Sequence, residues 1–230
     1  MTTSGTWSFN PSLGALIIDA FGRIGIKRAA ITQDHMYDAS FQANMLLADW
    51  ASKQPLLWTS ETQNLGTLTQ GTATYTPAAR TVAVLTAYIR TGTGTNQVDR
   101  VIGPLSTVEY ESMPNKNTQG PPTSFWFDRL IAPTITLWPA PDNGGPYTLL
   151  VQTVSQVQDA SVAGGTTMFL PYRYMDAFAA DLAHRMARFY APQLEQVRAA
   201  DAMQAWQTAF GNDVESVPLF ITPGLSSYYR

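Results

Sequence analysis

Histidine, cysteine and paired carboxylates are the side chains that most often carry catalysis or bind metal ions. This 230-residue sequence has no cysteine, which excludes thiol nucleophiles, disulfides and cysteine-ligated metals. Its two histidines, His35 and His184, are far apart, and neither has a second histidine three or four residues away. Asp181 lies three residues before His184, on the same predicted helix face. We therefore predict no metal site, no cofactor and no histidine-based triad.

Glu109 and Glu111 are the best candidates for acid–base chemistry. They lie two residues apart in TVEYES, which we interpret as a strand, so both carboxylates would point to one face. A solvated strand face, with Val108 and Tyr110 toward the core, is the simpler interpretation. Asp142, in PDNGGP, is typical of a turn. No nucleophile elbow or phosphate-binding Gly-Lys-Ser/Thr loop occurs, so the sequence does not indicate an enzyme.

Charge is sparse: 13% of residues are charged and the net charge is −3. No lysine–arginine cluster exceeds Lys27-Arg28, which argues against tight, non-specific binding of DNA. A neutral surface is typical either of large protein contacts or of threonine-rich strands. The N-terminal residues do not have the pattern of a signal peptide, and the apolar runs are too short to predict a membrane span.

Two helices are predicted before residue 55. Ser12 is a suitable N-cap for the first, Gly25 can end it, and Pro55 ends the second, which begins near Thr32. Helical spacing places Leu13, Leu16, Ile17, Ala20, Phe21 and Ile24 on one face of the first helix and Tyr37, Phe41, Met45 and Ala48 on one face of the second.

From about Leu56 to Val157, short runs rich in Thr, Val and Tyr alternate with Gly, Pro and Asn, which predicts a β-sandwich or small barrel. The predicted strands include TATYT, RTVAVLTAYIRT, STVEYE, TITLW and YTLLVQTV. We expect Trp126 and Trp138 to pack inside this domain. The residues that form either its core or an exposed aromatic platform are Trp58, Trp126, Trp138 and Tyr147.

Two further helices are predicted, one after Pro171 and one after Pro192. Their predicted buried stripes are Met175, Phe178, Ala179, Leu182, Ala183, Met186, Phe189 and Tyr190, and then Ala199, Met203, Trp206 and Phe210. The predicted fold is α+β, with a four-helix-type bundle, an inserted antiparallel β-sandwich or barrel, and an extended C-terminal tail. The predicted divisions are residues 1–55, 56–160, 161–212 and 213–230.

An ordered series of segments resembles a known family. It runs through Tyr110, Pro114-Asn115-Lys116, Gly120-Pro121-Pro122, Phe125-Trp126, Leu137-Trp138-Pro139, Pro141, Tyr147 and Leu170-Pro171. Over roughly residues 11–191, the chain resembles the head-to-tail adaptor proteins of short-tailed bacteriophages, also called connector or tail accessory proteins.

The resemblance implies a structural virion protein that is made in the host cytoplasm and located at the head–tail junction. Such adaptors form a ring, usually of twelve copies, beneath the portal protein. The ring extends the DNA channel without gripping the double-stranded DNA, and it carries the tail nozzle and often fibres or spikes.

The resemblance also implies that the C-terminal segment binds the portal. The residues assigned to that contact are Leu219, Phe220, Ile221, Leu225, Tyr228, Tyr229 and Arg230. A tail that folds back on its own helices is the alternative.

Two other functions stay open from the sequence. One is a different phage structural protein, such as a nozzle or baseplate component. The other is a glycan-binding β-sandwich module, in which Trp58, Trp126, Trp138 and Tyr147 would form the stacking surface.

Overall fold

The computed structural model describes residues 5, 6, 8–162 and 167–211. Within these residues the chain is α+β. The helices are α1 (Leu13–Arg23), α2 (Gln33–Lys53), α3 (Thr107–Glu111), α4 (Met175–Tyr190) and α5 (Glu195–Gly211). The strands are β1 (Ser60–Thr67), β2 (Thr74–Tyr75), β3 (Thr81–Thr91), β4 (Val98–Leu105), β5 (Ser124–Phe127), β6 (Ile135–Trp138) and β7 (Tyr147–Ser155).

The described residues form two compact units. One, the helical unit, comprises the described residues up to Ala43 and from Ala160 onward; the other, the β unit, comprises Asn44–Asp159. The boundary between Ala43 and Asn44 falls inside α2.

Helix α1 begins and ends where the sequence predicts. The Ser12 hydroxyl accepts a hydrogen bond from the Ala15 amide at 3.4 Å, which satisfies one of the amides that have no partner inside the helix. At the other end, Gly25 has a φ of +87°, and the Ile26 amide bonds back to the Phe21 carbonyl at 3.0 Å. This is a Schellman motif, whose left-handed residue favours glycine because it lacks a Cβ.

The core of the helical unit lies where α1 packs against α4 and α4 against α5. The predicted apolar face of α1 is buried, and Ile17, Ala20 and Phe21 are fully enclosed. On α4 the buried side chains are Met175, Ala177, Phe178, Ala179, Ala180, Leu182, Ala183, Met186 and Ala187. Phe189 departs from the prediction, because it is 63% exposed.

The predicted stripe of α2 is wrong. Tyr37, Phe41 and Met45 are 74%, 58% and 48% exposed. The buried side chains of this helix are Ala39, Ala43, Leu46, Leu47 and Trp50. Both sets have helical spacing, so periodicity alone does not decide which of them is buried.

The stripe of α5 is also corrected. Met203 is 64% exposed, whereas Phe210 is buried as predicted. The other side chains buried on this helix are Ala202 and Ala209.

One curled seven-stranded sheet forms the β unit, with the strand order β1-β7-β3-β4-β5-β6-β2. All paired strands are antiparallel except β4 and β5, which are parallel. The first and last strands of the sheet, β1 and β2, are joined by residues 68–73 alone. Because so short a segment connects the two edges, the sheet must curl toward closure, as in a small barrel.

The inside of the curled sheet is mainly aliphatic. Its buried residues are Leu68, Ala87, Ile89, Ile102, Phe125, Ile135, Leu137, Tyr147, Leu149 and Val151. Strand β4 pairs with β3 up to Ile102 and with β5 from Gly103, so it passes from one half of the sheet to the other. Strands β1, β4 and β5 were not predicted from the sequence.

Candidate interaction surfaces

His35 lies at the start of helix α2 and contacts aromatic side chains. The Thr32 amide donates to Nδ1 of His35 at 3.0 Å, and the His35 amide donates to the Thr32 hydroxyl at 3.4 Å. This reciprocal pair caps the start of α2. The His35 ring also packs edge-on against Phe21 and Tyr190, with centroids 5.3 and 4.7 Å away. His35 is therefore a capping and packing residue.

His184 lies in a network of charged side chains on α4 and α5. Its ring nitrogens are 3.9 Å from Asp181 and 4.0 Å from Glu195, and the Arg188 guanidinium is 3.3 Å away. Burial lowers its pKa, and the nearby arginine acts in the same direction. The lowered pKa favours the neutral form of the His184 ring. Among the described residues, no group of three or more potential ligands could hold a metal ion.

The predicted strand containing Glu109 and Glu111 is wrong, because these residues lie in helix α3. The Ser106 hydroxyl accepts from the Glu109 amide at 3.2 Å, and the Glu109 carboxylate accepts from the Ser106 amide at 2.7 Å. This capping box lowers the pKa of Glu109 through the hydrogen bond from the Ser106 backbone. Glu111 instead pairs with Lys116 at 3.4 Å. The two carboxylates therefore form no acid–base pair.

Trp126 and Trp138 lie on the outer face of the sheet, which corrects the expectation that they pack inside it. Trp126 is opposite Thr136 in the β5–β6 register, so both tryptophans point away from the face that carries Phe125 and Leu137. Each side chain is half-buried. Of the four aromatic residues predicted as core or platform, Tyr147 lies in the core cluster and Trp58 is half-buried beside β1.

The segment between β4 and β5 covers this outer face. The Trp126 indole donates to the Thr107 hydroxyl at 3.2 Å, and its ring stacks on Tyr110 with centroids 4.8 Å apart and an interplanar angle of 11°. The Trp138 indole donates to the Asn115 carbonyl at 3.2 Å. We call these two tryptophans and their partners the tryptophan face. One ring face of Trp126 and both indole donors are therefore engaged within the chain.

A second aromatic surface is left uncovered. Tyr37 and Phe41 on α2 and Phe189 on α4 surround a groove of about 310 Å³, which Asp38 and Gln42 complete. We call this the α2–α4 groove. Its three aromatic residues are each more than half exposed, which is unusual for large apolar side chains that lie close together. The groove is therefore a candidate contact surface.

A short side-chain hydrogen bond links α2 and α4 at the rim of the α2–α4 groove. The Tyr190 hydroxyl donates to a carboxylate oxygen of Asp38 at 2.5 Å. This bond, together with burial, raises the pKa of Tyr190 to about 12. The Asp38 side chain lies on the groove lining, and Asp34 lies one helical turn away on the same side of α2.

A third exposed apolar feature is the loop between β5 and β6. Leu130 is 69% exposed and Ile131 is fully exposed, with Arg129 beside them. The base of the loop is closed by Asp128, whose carboxylate accepts hydrogen bonds from the amide and the hydroxyl of Thr134. We call residues 129–133 the β5–β6 loop.

The remaining predicted site residues are located as follows. Asp142 is a turn residue as expected, because its carboxylate accepts from the Gly144 amide at 2.8 Å and from the Tyr147 hydroxyl at 3.1 Å. The residues assigned to portal binding lie outside the described residues; they are Leu219, Phe220, Ile221, Leu225, Tyr228, Tyr229 and Arg230.

The comparison with known protein families is consistent with a protein that binds other proteins. The profile of one family, described as SU10 adaptor protein, matches residues 18–220. The chain belongs to the SU10 adaptor protein family. No curated protein matches the sequence.

Membership in the SU10 adaptor family supports the resemblance to phage adaptor proteins over most of the chain. It indicates a structural protein of a phage particle that associates with other head or tail proteins. In this SU10 adaptor family member, no described helix combines the length and apolar character needed to cross a membrane.

Sequence reasoning missed the α2–α4 groove and the β5–β6 loop of this family member. The loop had a local signal, because Leu130 and Ile131 are adjacent aliphatic residues between Arg129 and Pro133, in a segment with little strand character. The groove had none, since an aromatic stripe at helical spacing more often faces a core.

Proposed function

We propose that this protein is a head-to-tail adaptor of the short-tailed phage type. It forms a ring of twelve copies that joins the portal to the tail nozzle and to fibres or spikes. The observation that carries the proposal is the family match over residues 18–220. The uncovered α2–α4 groove and β5–β6 loop support it, because each copy in a ring needs two different contact faces.

The charge distribution supports a ring whose channel passes DNA without holding it. Several arginines are paired with carboxylates: Arg23 with Asp19 and Asp176, Arg80 with Glu61, Arg90 with Asp99 and Arg188 with Glu195. A cation already paired in this way contributes less to phosphate binding, and tight binding of duplex DNA needs many phosphate contacts. Double-stranded DNA is thus a passing partner in this proposal.

The finer architecture is also part of the proposal. We propose a four-helix-type bundle, with residues 56–160 as an inserted β-sandwich or barrel domain. The packing of α1 on α4 and of α4 on α5 supports the first part. The compact unit of Asn44–Asp159 supports the second. The divisions 1–55, 161–212 and 213–230 complete this description.

The C-terminal tail is proposed to bind the portal. Its sequence is rich in apolar residues and has few charges, as is common for segments that dock on a partner. A variant lacking residues 213–230 should remain folded and lose attachment to the portal ring. Its matched control keeps the full length and carries Ser226→Ala with Ser227→Ala. Attachment that survives the truncation would contradict the assignment.

The main test is native mass spectrometry of the protein mixed with the portal ring from the same phage. We expect a complex heavier than the portal by about twelve copies of 25.2 kDa. An increment of about six copies would instead support a nozzle component. With both components folded, the absence of a complex would overturn the adaptor proposal.

The glycan-binding alternative is less well supported by the tryptophan face. Carbohydrate platforms need accessible ring surfaces, whereas Trp126 is stacked on Tyr110 and Trp138 is bonded to Asn115. Tryptophan emission should therefore not shift when mono- or oligosaccharides are added. Emission at long wavelength that shifts saturably when sugar is added would restore the alternative.

A further inference from the structure

We propose that, in the ring, the β5–β6 loop of one copy inserts into the α2–α4 groove of the next copy. This inference rests on the proposed function, because it assumes that copies assemble. Beyond that function, it specifies which two surfaces meet between neighbouring copies and which side chains make the contact.

The loop has the properties of an inserting element. Leu130 is 69% exposed and Ile131 is fully exposed. Together, their side chains present a substantial apolar area to solvent. Asp128 and Thr134 hold the base of the loop through paired hydrogen bonds. Preorganisation of this kind reduces the conformational entropy lost on binding. The loop therefore presents two aliphatic side chains on a fixed support.

The groove has a matching size and lining. Its volume is about 310 Å³, roughly twice that of the apolar cavity of about 150 Å³ known to hold benzene. Its walls are Tyr37, Phe41 and Phe189. Branched aliphatic side chains can pack against these rings and remove apolar surface from water on both partners.

Charge complementarity favours the same pairing. Arg129 stands beside the two aliphatic residues and has no ion-pair partner within the part of the chain that the structure describes. The groove carries Asp38 on its lining and Asp34 one turn away. Insertion of the aliphatic pair would bring the arginine toward these carboxylates, which would orient the loop in the groove.

A second copy is the occupant that best fits these observations, because the chain carries both halves of the contact. The loop and the groove are different surfaces, so pairing them gives a heterologous interface that can continue from copy to copy and close into a ring. Groove-to-groove pairing would be isologous and would stop at a dimer.

Cysteine cross-linking tests the contact directly, since the natural sequence has no cysteine. The double variant has Ile131→Cys in the loop and Gln42→Cys at the groove, which leaves the three aromatic residues intact. Oxidation of the assembled protein should give a ladder of covalent multimers on denaturing gels. Each single variant alone should give no ladder, and a mixture of the two should give covalent dimers only.

A matched control places the loop cysteine elsewhere. Val98 is 63% exposed on β4 of the same β unit, so Val98→Cys with Gln42→Cys should give no ladder. A ladder of equal strength from this pair would show random collision and would overturn the inference.

The same samples separate failure of the contact from failure of the proposed function. A ring of the expected mass by native mass spectrometry, without the Ile131–Gln42 ladder, would overturn the contact and leave the adaptor proposal standing. A protein that stays monomeric both alone and with the portal ring would contradict both.

A charge exchange supplies an independent readout. Arg129→Glu should raise the midpoint concentration of assembly roughly tenfold, because a rim carboxylate would face Asp34 and Asp38. Adding Asp34→Arg to this variant should bring the midpoint concentration most of the way back to that of the natural protein. The Tyr190–Asp38 hydrogen bond stays in place in this double variant. If neither variant changes assembly, the proposed orientation is wrong.

Discussion

The outer face of the β-sheet and the outer face of α2 both carry aromatic side chains, but they differ in what covers them. On the sheet, Trp126 and Trp138 are half-buried under the β4–β5 segment, and both indole nitrogens donate within the chain. On α2, Tyr37 and Phe41 are more than half exposed around a groove.

The difference shows how a role can be assigned to a surface aromatic residue. A tryptophan packed by its own chain and bonded through its indole contributes to the stability of the monomer. An exposed phenylalanine with no such cover contributes little to folding, and its apolar area remains available for a partner. The two surfaces should therefore respond differently to mutation.

The sharpest test compares two phenylalanines of the helical unit. Phe21 is fully buried, whereas Phe41 is 58% exposed. We expect Phe21→Ala to lower the free energy of unfolding by about 3–5 kcal/mol, and Phe41→Ala to change it by about 0.5 kcal/mol or less. Urea unfolding followed by circular dichroism measures both. Comparable losses would mean that the α2 stripe belongs to a core.

The β5–β6 loop should depend on the hydrogen bonds at its base. Asp128→Ala removes the acceptor for both groups of Thr134. We expect a loss of about 1–3 kcal/mol in the free energy of unfolding of the β unit. Ile131→Ser at the exposed tip is the control and should be nearly neutral. A neutral Asp128→Ala would remove the argument that the loop is preorganised.

The tryptophan face should show coupling between Trp126 and Thr107. Trp126→Phe and Thr107→Val each remove the 3.2 Å hydrogen bond between them. We expect each change to lower the free energy of unfolding by about 1 kcal/mol, and the double-mutant cycle to give a coupling energy of similar size. Strict additivity would indicate that the indole donor is satisfied by water and that this face is less tightly covered.

The smallest effect on stability is expected from changing Glu61, whose carboxylate makes polar contacts on the edge strand β1. The Arg80 and Ser155 side chains donate to the Glu61 carboxylate at 2.8 Å each, and the hydrogen bond from Arg80 is the main cause of its lowered pKa. Because the folded-state pKa is below its ordinary value, the stabilisation is present at neutral pH and is lost as the pH falls through that lowered pKa.

Glu61→Gln should therefore destabilise the protein by less than about 1 kcal/mol at pH 7, since the pair is partly exposed. The difference from the natural protein should shrink as the pH falls below 4.5, the ordinary glutamate value. Thermal unfolding of both proteins between pH 7 and a pH below 4.5 measures this stability difference. A difference that is constant with pH would assign the effect to packing.

Local signals predicted the regular parts of the fold. The Ser12 cap, the Gly25 end and the apolar face through Ile17 and Phe21 predicted α1 closely, because each is determined within a few residues. The β-branched runs of β3, β6 and β7 were likewise predicted from composition.

The errors arose where tertiary packing chose between two local options. Helix α2 has an aromatic and an alanine-rich face, and periodicity cannot tell which one is buried. TVEYES has strand-forming residues, but the Ser106–Glu109 capping box starts a helix there. Trp126 and Trp138 were expected inside the β-domain, but the sheet register places Phe125 and Leu137 on the inner face instead.

The long sequence distances between paired elements have a consequence for biosynthesis. Arg23 of α1 bonds Asp176, 153 residues later, and Glu61 of β1 bonds Ser155, 94 residues later. During translation, the apolar face of α1 therefore emerges from the ribosome long before α4 exists to cover it. Neither unit can finish folding until most of the chain has been made. Chains truncated before α4 should accordingly be prone to aggregation and depend on chaperones.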